Sequence, residues 1–458
     1  MKPEKVANFP HLEIAAIFLA YCSSYFLKEA GKIAFVLPRS FFSADHHDNT
    51  RSGKAKGFKL TSLWDLEKVY PLFNIPSAVL FAEKSTGVRK LPATGLPGVT
   101  FSGNMPAHNC NLKTALPKLS EQDIVFYYKQ QGKSSAFSSN NAKNKTKVNP
   151  YKKEFKQGAT ILPRTFYFIE LTQDMPPDFE DRIINIKTSD AVQPDAKVPW
   201  KGLEFAGKIE SRFIFYTALS KSILPFALYK PDLIIQPAIV ELDKQGKKVI
   251  SLHSSKELMK KGFLNASKWF ANTERIWDLH KTEKSQNMTA IDRIDFQRGL
   301  TEQNLNIQYL VLYNSSAKDA NATIVERNMD LEFLVDHKAY VFYTESKEEA
   351  YYLTAILNST VPNLLMKDFQ TKGLFGARDV HKKILDIFYP KYNETTRVHK
   401  KLAKLSEAAH EKAKQYLIAN EPKQALSAGI LGRLRTSLKK HLKEELDQID
   451  ELVKALIS

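Results

Sequence analysis

The sequence has 458 residues, of which 43% are hydrophobic, and a formal charge of +17. That length allows two or three domains, each burying its own core, and the apolar content argues against global disorder. The longest apolar run, Ile14–Tyr21, is too short to span a bilayer, and Met1-Lys2-Pro3-Glu4 has no signal-peptide layout. Cys22 and Cys110 offer neither metal-ligand spacing nor a disulfide framework. A cytoplasmic protein with no membrane contact is expected, and its positive excess points to a polyanionic partner, nucleic acid ahead of a membrane surface.

In chain order, Leu12–Ala30 has apolar residues at Ile14, Ile17, Phe18, Tyr21, Tyr25 and Phe26, which is helical spacing. Gly31 sits at the C-cap position. Ile33–Leu37 is a continuous apolar run, expected of a parallel strand covered on both faces. Ser43–Gly57, with Asp45, His46, His47, Asp48 and Asn49, reads as a polar, mobile loop, and Asn74-Ile75-Pro76-Ser77 as a turn between two strands. Three strands do not make a stable doubly wound sheet; if Ile33–Leu37 is the fifth strand of such a sheet, the edge that would pair with the fourth is expected to be bare.

Residues 91 to 120 read as a linker, broken by Pro92, Gly95, Pro97, Gly98, Gly103, Pro106 and Pro117. Next comes a Lys/Asn-rich segment: Lys133, Lys143, Lys145, Lys147, Lys152, Lys153 and Lys156, opposed only by Glu154. Such a segment suits contacts to phosphates. Candidate strands follow at Ile161–Leu171, Phe213–Tyr216, Leu233–Gln236, Lys248–Leu252, Tyr309–Tyr313 and Ala339–Tyr343. Ser346-Lys347-Glu348-Glu349 fits a capping box ahead of a helix. From about residue 394 the composition turns to Lys, Glu, Ala and Leu, Pro422 and Gly429/Gly432 divide the region into two helices, and a stripe from Leu434 to Leu456 suits either a docked hairpin or a coiled-coil contact.

Gly31-Lys32-Ile33-Ala34-Phe35-Val36-Leu37-Pro38-Arg39, then Leu63–Tyr70 and Leu72–Lys84, resemble the last third of the catalytic domain in gamma-class N6-adenine DNA methyltransferases of restriction–modification systems. Phe155–Arg164, Lys197–Lys201, Gly207–Phe213, Leu353–Ser359 and Gly373–Arg378 resemble segments of the target-recognition region of such enzymes, so the resemblance spans about residues 10–390. It implies an α/β fold in which residues 1–90 hold the last strands of a doubly wound methyltransferase sheet. A mixed α+β target-recognition domain would follow over 91–393, and a helical hairpin over 394–458.

In that family a Gly-rich turn and an Asn-Pro-Pro-aromatic loop serve S-adenosylmethionine and the target amine. Neither occurs in this sequence, and Asn149-Pro150-Tyr151 lacks the second proline. The resemblance therefore implies a cofactor site largely outside this chain, no catalytic residue within it, and a separate polypeptide carrying those motifs. Phe73 matches the family's aromatic that stacks on an extruded adenine, an interaction worth about 1–3 kcal/mol; the plain alternative is a packing aromatic. Arg39, Lys143, Lys145, Lys147, Lys152, Lys153, Arg164, Arg212 and Arg378 are the candidates for contacting double-stranded DNA, each arginine otherwise a surface or salt-bridging residue. Trp200 and Trp269 read as core aromatics. Asp232 with Glu241, Asp243 and Lys244 lacks nuclease spacing, and His46 with His47 has no companion cluster for a metal. The competing readings are a non-enzymatic DNA-specificity subunit and an inactive gene fragment.

Overall fold

A computed structural model describes residues 14–87, 90–132, 134–141, 147–174, 179, 181–373, 376–377, 380–422 and 427–457. The chain forms two compact units: Met1–Lys152 with Ala317–Asp319 and Pro362–Pro390, and Lys153–Ser316 with Ala320–Val361 and Lys391–Ser458.

The first unit is organised by one six-stranded sheet. Its strands are β1 (Lys32–Pro38), β2 (Gly57–Tyr70), β3 (Ser77–Ser85), β4 (Leu96–Asn104), β5 (Leu119–Gln131) and β6 (Ser134–Ser138), in the order β1-β3-β2-β4-β5-β6. β3 is antiparallel to both β1 and β2, so those two run parallel to each other. β2 and β4 pair in parallel, and β4–β5 and β5–β6 pair antiparallel. The sheet therefore continues through position 90. The proline and glycine residues expected to make a linker instead bracket and fit a strand: Gly95 N–H closes a turn on Pro92 O at 2.9 Å. At Gly98 a Cβ would lie 2.3 Å from Leu63 O and 2.6 Å from the Phe126 ring, so only glycine lets β4 sit this close to β2 and β5.

The segment expected to be a mobile loop is also ordered. Arg39–Phe42, Asp45–His47 and Asp48–Arg51 form successive helical turns that bury Phe41, Phe42, His47 and Arg51. Polar residues mislead here because they serve the interior. Arg51 is fully buried and donates to Phe41 O, Ala44 O, Ser135 O and Ser135 Oγ at 2.7–3.1 Å. Satisfying so many carbonyls offsets the cost of burying a guanidinium. Burial still lowers its pKa to about 10, against the attraction of Asp48, Tyr128 and Asp45.

Ile14–Tyr25 is helical as the spacing predicts. It turns Leu19 and Ser23 inward, while Ile14, Ile17, Phe18, Tyr21 and Tyr25 remain exposed. β1 differs from its expectation too. Of its residues only Leu37 is buried, and Val36 is 55% exposed, because β1 pairs with β3 and has no second partner strand among the described residues.

The second unit is antiparallel throughout its larger sheets. One takes β7 (Lys156–Gln157) beside strands described below; the other begins with β8 (Phe168–Leu171), β9 (Ile183–Thr188), β10 (Ala206–Glu210) and β11 (Ile214–Thr217). After a small hairpin of β12 (Ile223–Leu224) and β13 (Ala227–Leu228) comes β14 (Asp232–Ile235), completing the order β10-β9-β8-β14-β11. A second hairpin pairs β15 (Ala238–Leu242) with β16 (Lys248–Leu252). β17 (Tyr309–Asn314), β18 (Ala322–Glu326) and β19 (Ala339–Thr344) then join β7 in the order β18-β17-β19-β7. The predicted strands at 233, 248, 309 and 339 fall on these elements. The predicted strand Ile161–Leu171 is real only from Phe168, since Arg164–Tyr167 makes a helical turn.

Helix Leu264–His280 packs Trp269, Phe270 and Trp277 onto the five-stranded sheet's core. Glu210 accepts hydrogen bonds from Asn265 and Ala266 N–H at its first turn, a favourable site for an anion. Ser346 caps helix Lys347–Asn358 by accepting from Glu349 N–H. The tail holds three helices rather than two: Arg397–Ala419, Ala428–His441 and Lys443–Ile457. The Leu stripe runs unbroken through the join at Leu442, with Leu434, Leu438, Leu442, Leu446, Ile449 and Val453 buried. An ion pair between Lys412 and Glu445, and Ser359 Oγ on Asp450 at 2.7 Å, dock this hairpin within the second unit.

Candidate nucleic-acid interface

Phe73 lies in the turn between β2 and β3, at the end of the first sheet where the parallel strands β1, β2 and β4 terminate. It is 51% exposed, and its neighbours Tyr70 and Ile75 are exposed as well. The turn is fixed from both sides: Arg39 N–H donates to Pro76 O at 2.7 Å, and Met105 N–H to Tyr70 O at 2.5 Å. An aromatic ring held out on a pinned backbone can receive a flat partner without further ordering cost. Sequence reading did not single out Tyr70 or Ile75, which share the exposed turn.

Arg39 closes β1, yet its guanidinium is committed within the sheet. It grips Asp65 through Nε and Nη2 at 2.8–3.0 Å and reaches Glu67 at 3.0 Å. It also lies over the Phe42 ring, 5.0 Å from the centroid. Burial works against its charge, but the Asp65 hydrogen bond and the two carboxylates outweigh it and hold its pKa above the usual arginine value. This geometry ties the end of β1 to β2 across β3.

Two lysines in the described part of the Lys/Asn-rich segment also make contacts within the chain. Lys152 pairs with the buried Asp386, which also accepts from Ser134 Oγ at 3.0 Å. Lys147 lies 5.3 Å from the centre of the Phe388 ring. Asn149-Pro150-Tyr151 is a buried corner: Asn149 Nδ2 donates to Ile387 O at 2.8 Å, and Tyr151 stacks on Tyr389. That geometry gives the string a packing role. Lys153 is exposed at the surface. Lys143, Lys145 and Arg378 lie outside the described residues.

In the second unit Arg212 pairs with Asp181 at 2.7 Å and covers Phe263, while remaining 43% exposed. Arg164 is mostly buried and 3.7 Å from Asp336, beyond hydrogen-bond range. The close approach at Gly158 is to this chain itself, since a Cβ there would meet Val335 O at 2.3 Å. Trp269 is a core residue whose indole donates to Phe166 O at 3.1 Å. Asp232 is half-buried on β14 with its pKa raised by desolvation, and Asp243 forms the β15–β16 turn, accepting from Gln245 and Lys247 N–H. Among the described residues no group of three or more His, Cys, Asp or Glu could hold a metal ion, and no helix is long and apolar enough to cross a membrane.

Comparison with solved structures adds one decisive likeness. The Type IIL restriction–modification enzyme MmeI, solved in complex with DNA, superposes with a TM-score of 0.50 at 11% identity, over 98% of this chain and 51% of MmeI. The chain shares its fold with a restriction–modification enzyme. It spans about half the length of that relative. The Type IIG endonuclease BpuSI (TM-score 0.28, 9% identity, 94% of this chain and 48% of BpuSI) and the ATP-dependent Type ISP enzyme LlaBIII (0.36, 9%, 87% and 26%) are more distant matches. No protein-family model and no curated protein matches the sequence.

Proposed function

We propose that this chain is the DNA-binding, target-recognition part of a site-specific N6-adenine DNA methyltransferase of the restriction–modification type. The observation that carries the reading is the fold likeness to MmeI along nearly the whole chain. The net charge of +17 and the exposed aromatic turn at the sheet's end accord with it. In this reading Phe73 stacks on the extruded adenine. The exposed Lys153 and the half-exposed Arg212 are candidates for phosphate contacts among the described residues, and Lys143, Lys145 and Arg378 are further candidates. S-adenosylmethionine and the amine-orienting loop belong to a polypeptide segment that carries the Gly-rich turn and the Asn-Pro-Pro-aromatic motif. Its strands pair along the open edge of β1, near which Val36, Phe18 and Tyr21 are each exposed, and exposed apolar residues at a strand edge are typical of a pairing site.

Two measurements test this. Fluorescence anisotropy of a labelled duplex should show binding that weakens steeply between about 50 and 200 mM salt; salt-insensitive or absent binding removes the DNA role. In the enzyme completed with the motif-bearing segment, Phe73→Ala should cut methylation of the target adenine by roughly tenfold or more while duplex affinity stays near wild type. Unchanged turnover removes Phe73 from the base pocket. DNA binding that is sequence-selective but never accompanied by methylation would favour the specificity-subunit reading.

A further inference from the structure

The second unit contains a cavity of about 770 Å³ between the turn at Leu162–Thr165, the Val192–Trp200 loop, the end of helix Leu264–His280 with the residues after it, and His337–Lys338. That volume is typical of small-molecule sites, roughly 300–1,000 Å³. Six cationic side chains line it, Arg164, Lys197, Lys281, Lys284, Arg293 and Lys338, against one carboxylate, Asp195. Lys281 is paired with Asp278 at 2.8 Å. Arg164 makes a long ion pair with Asp336 at 3.7 Å and is near enough to Asp232 to favour its charged form, but the Arg164 Nε and Nη2 groups have no hydrogen-bond partner among the described residues. A second cavity of the same size in this unit mixes Lys347 and Lys414 with Glu326, Glu407, Glu411 and Glu421, so it carries no such excess of positive charge.

The same cavity is lined by a tryptophan pair. Trp200 and Trp277 stack with their planes 9° apart and centroids at 5.8 Å, and His280 meets Trp200 edge-on. Trp277 is fixed by its indole N–H on Met288 O at 2.8 Å, while Trp200 is only partly buried. Cations beside a rigid, partly open indole match the two halves of a nucleotide, a phosphate and a flat ring.

We propose that this cavity is a nucleotide-binding site, taking the phosphate against Arg164 and the rim lysines and the base or sugar against Trp200. The ligand is either one unstacked nucleotide of a DNA strand or a free nucleotide. The DNA source rests on the function proposed above, although the residues are separate from the Phe73 turn.

The test uses the full chain and follows tryptophan fluorescence during titration with deoxyadenosine monophosphate and, separately, with single-stranded and duplex DNA. Saturable quenching by the nucleotide or by DNA is expected. It should weaken by roughly tenfold or more in the triple variant Lys197→Gln, Lys284→Gln, Lys338→Gln, and the signal should be lost in Trp200→Phe. The triple variant changes rim residues only, so its melting curve should match the wild type. Arg164→Gln serves as a second variant against the buried end of the site. Displacement of bound DNA by the mononucleotide assigns the site to a DNA nucleotide; mononucleotide quenching that DNA neither causes nor competes with assigns it to a free nucleotide. The proposal is overturned by absence of quenching with all three probes, by wild-type affinity in the triple variant, or by equal quenching with polyglutamate. A wild-type duplex affinity without nucleotide quenching defeats this site and leaves the proposed function standing. Saturable mononucleotide binding without duplex binding does the reverse.

Discussion

The two edges of the first sheet are built on opposite plans. At one, β6 is buried along its whole length and its serines are spoken for: Ser134 on Asp386, Ser135 on Asp48 and Arg51, Ser138 on Asp368. At the other, β1 carries exposed Ala34 and Val36, with a helix beside it that shows Phe18, Tyr21 and Tyr25 to solvent. An edge left flat and apolar is a pairing hazard that folded proteins normally cover or charge. The β6 edge is finished with buried polar groups, and the β1 edge is the side from which the proposed function has the sheet continue.

That contrast can be broken from either end. The largest effect is expected at the finished edge: Arg51→Met removes the donors from Phe41 O, Ala44 O and Ser135 O, and should cost about 3–5 kcal/mol in urea unfolding. A loss below about 1 kcal/mol would mean the polar network does not hold that edge. Next, Asp386→Ala strips Lys152 and Ser134 of their partner and should cost about 2–3 kcal/mol by the same measurement. At the open edge the same class of change should be nearly silent for the chain alone. Val36→Lys is expected to stay within about 0.5 kcal/mol of wild type, yet to abolish co-elution with the motif-bearing segment in size-exclusion chromatography. If Val36→Lys destabilises the isolated chain as Arg51→Met does, the two edges are not different in kind.

How much of this was legible follows from where the information is local. The strands at 233, 248, 309 and 339 could be read because runs such as Tyr309–Tyr313 are apolar or aromatic in themselves. The segment 39–51 could not, because Asp48 and Arg51 look like solvent-facing residues until Ser135, more than eighty positions away, receives them. Residues 91–120 were misjudged for a related reason: Gly98 is there to let a strand approach Leu63 and Phe126, and glycine alone does not distinguish a tight sheet from a linker. At the candidate sites, Phe73 was reached through family resemblance and stands exposed on its turn. Arg39 and Lys152 were legible as cations but not as partners of Asp65 and Asp386. The basic cavity was invisible, since its lining comes from segments between Leu162 and Lys338 that only folding brings together.

The most direct test of the account is hydrogen–deuterium exchange at the β1 amides, measured for this chain alone and again in complex with the segment bearing the Gly-rich and Asn-Pro-Pro-aromatic motifs. The account predicts fast exchange at the β1 amides facing away from β3 in the isolated chain, slowed by roughly a hundredfold or more in the complex, with β6 protected in both. Equal exchange at β1 in a complex that methylates DNA would contradict it, because the catalytic sheet would then not be continuing across that edge.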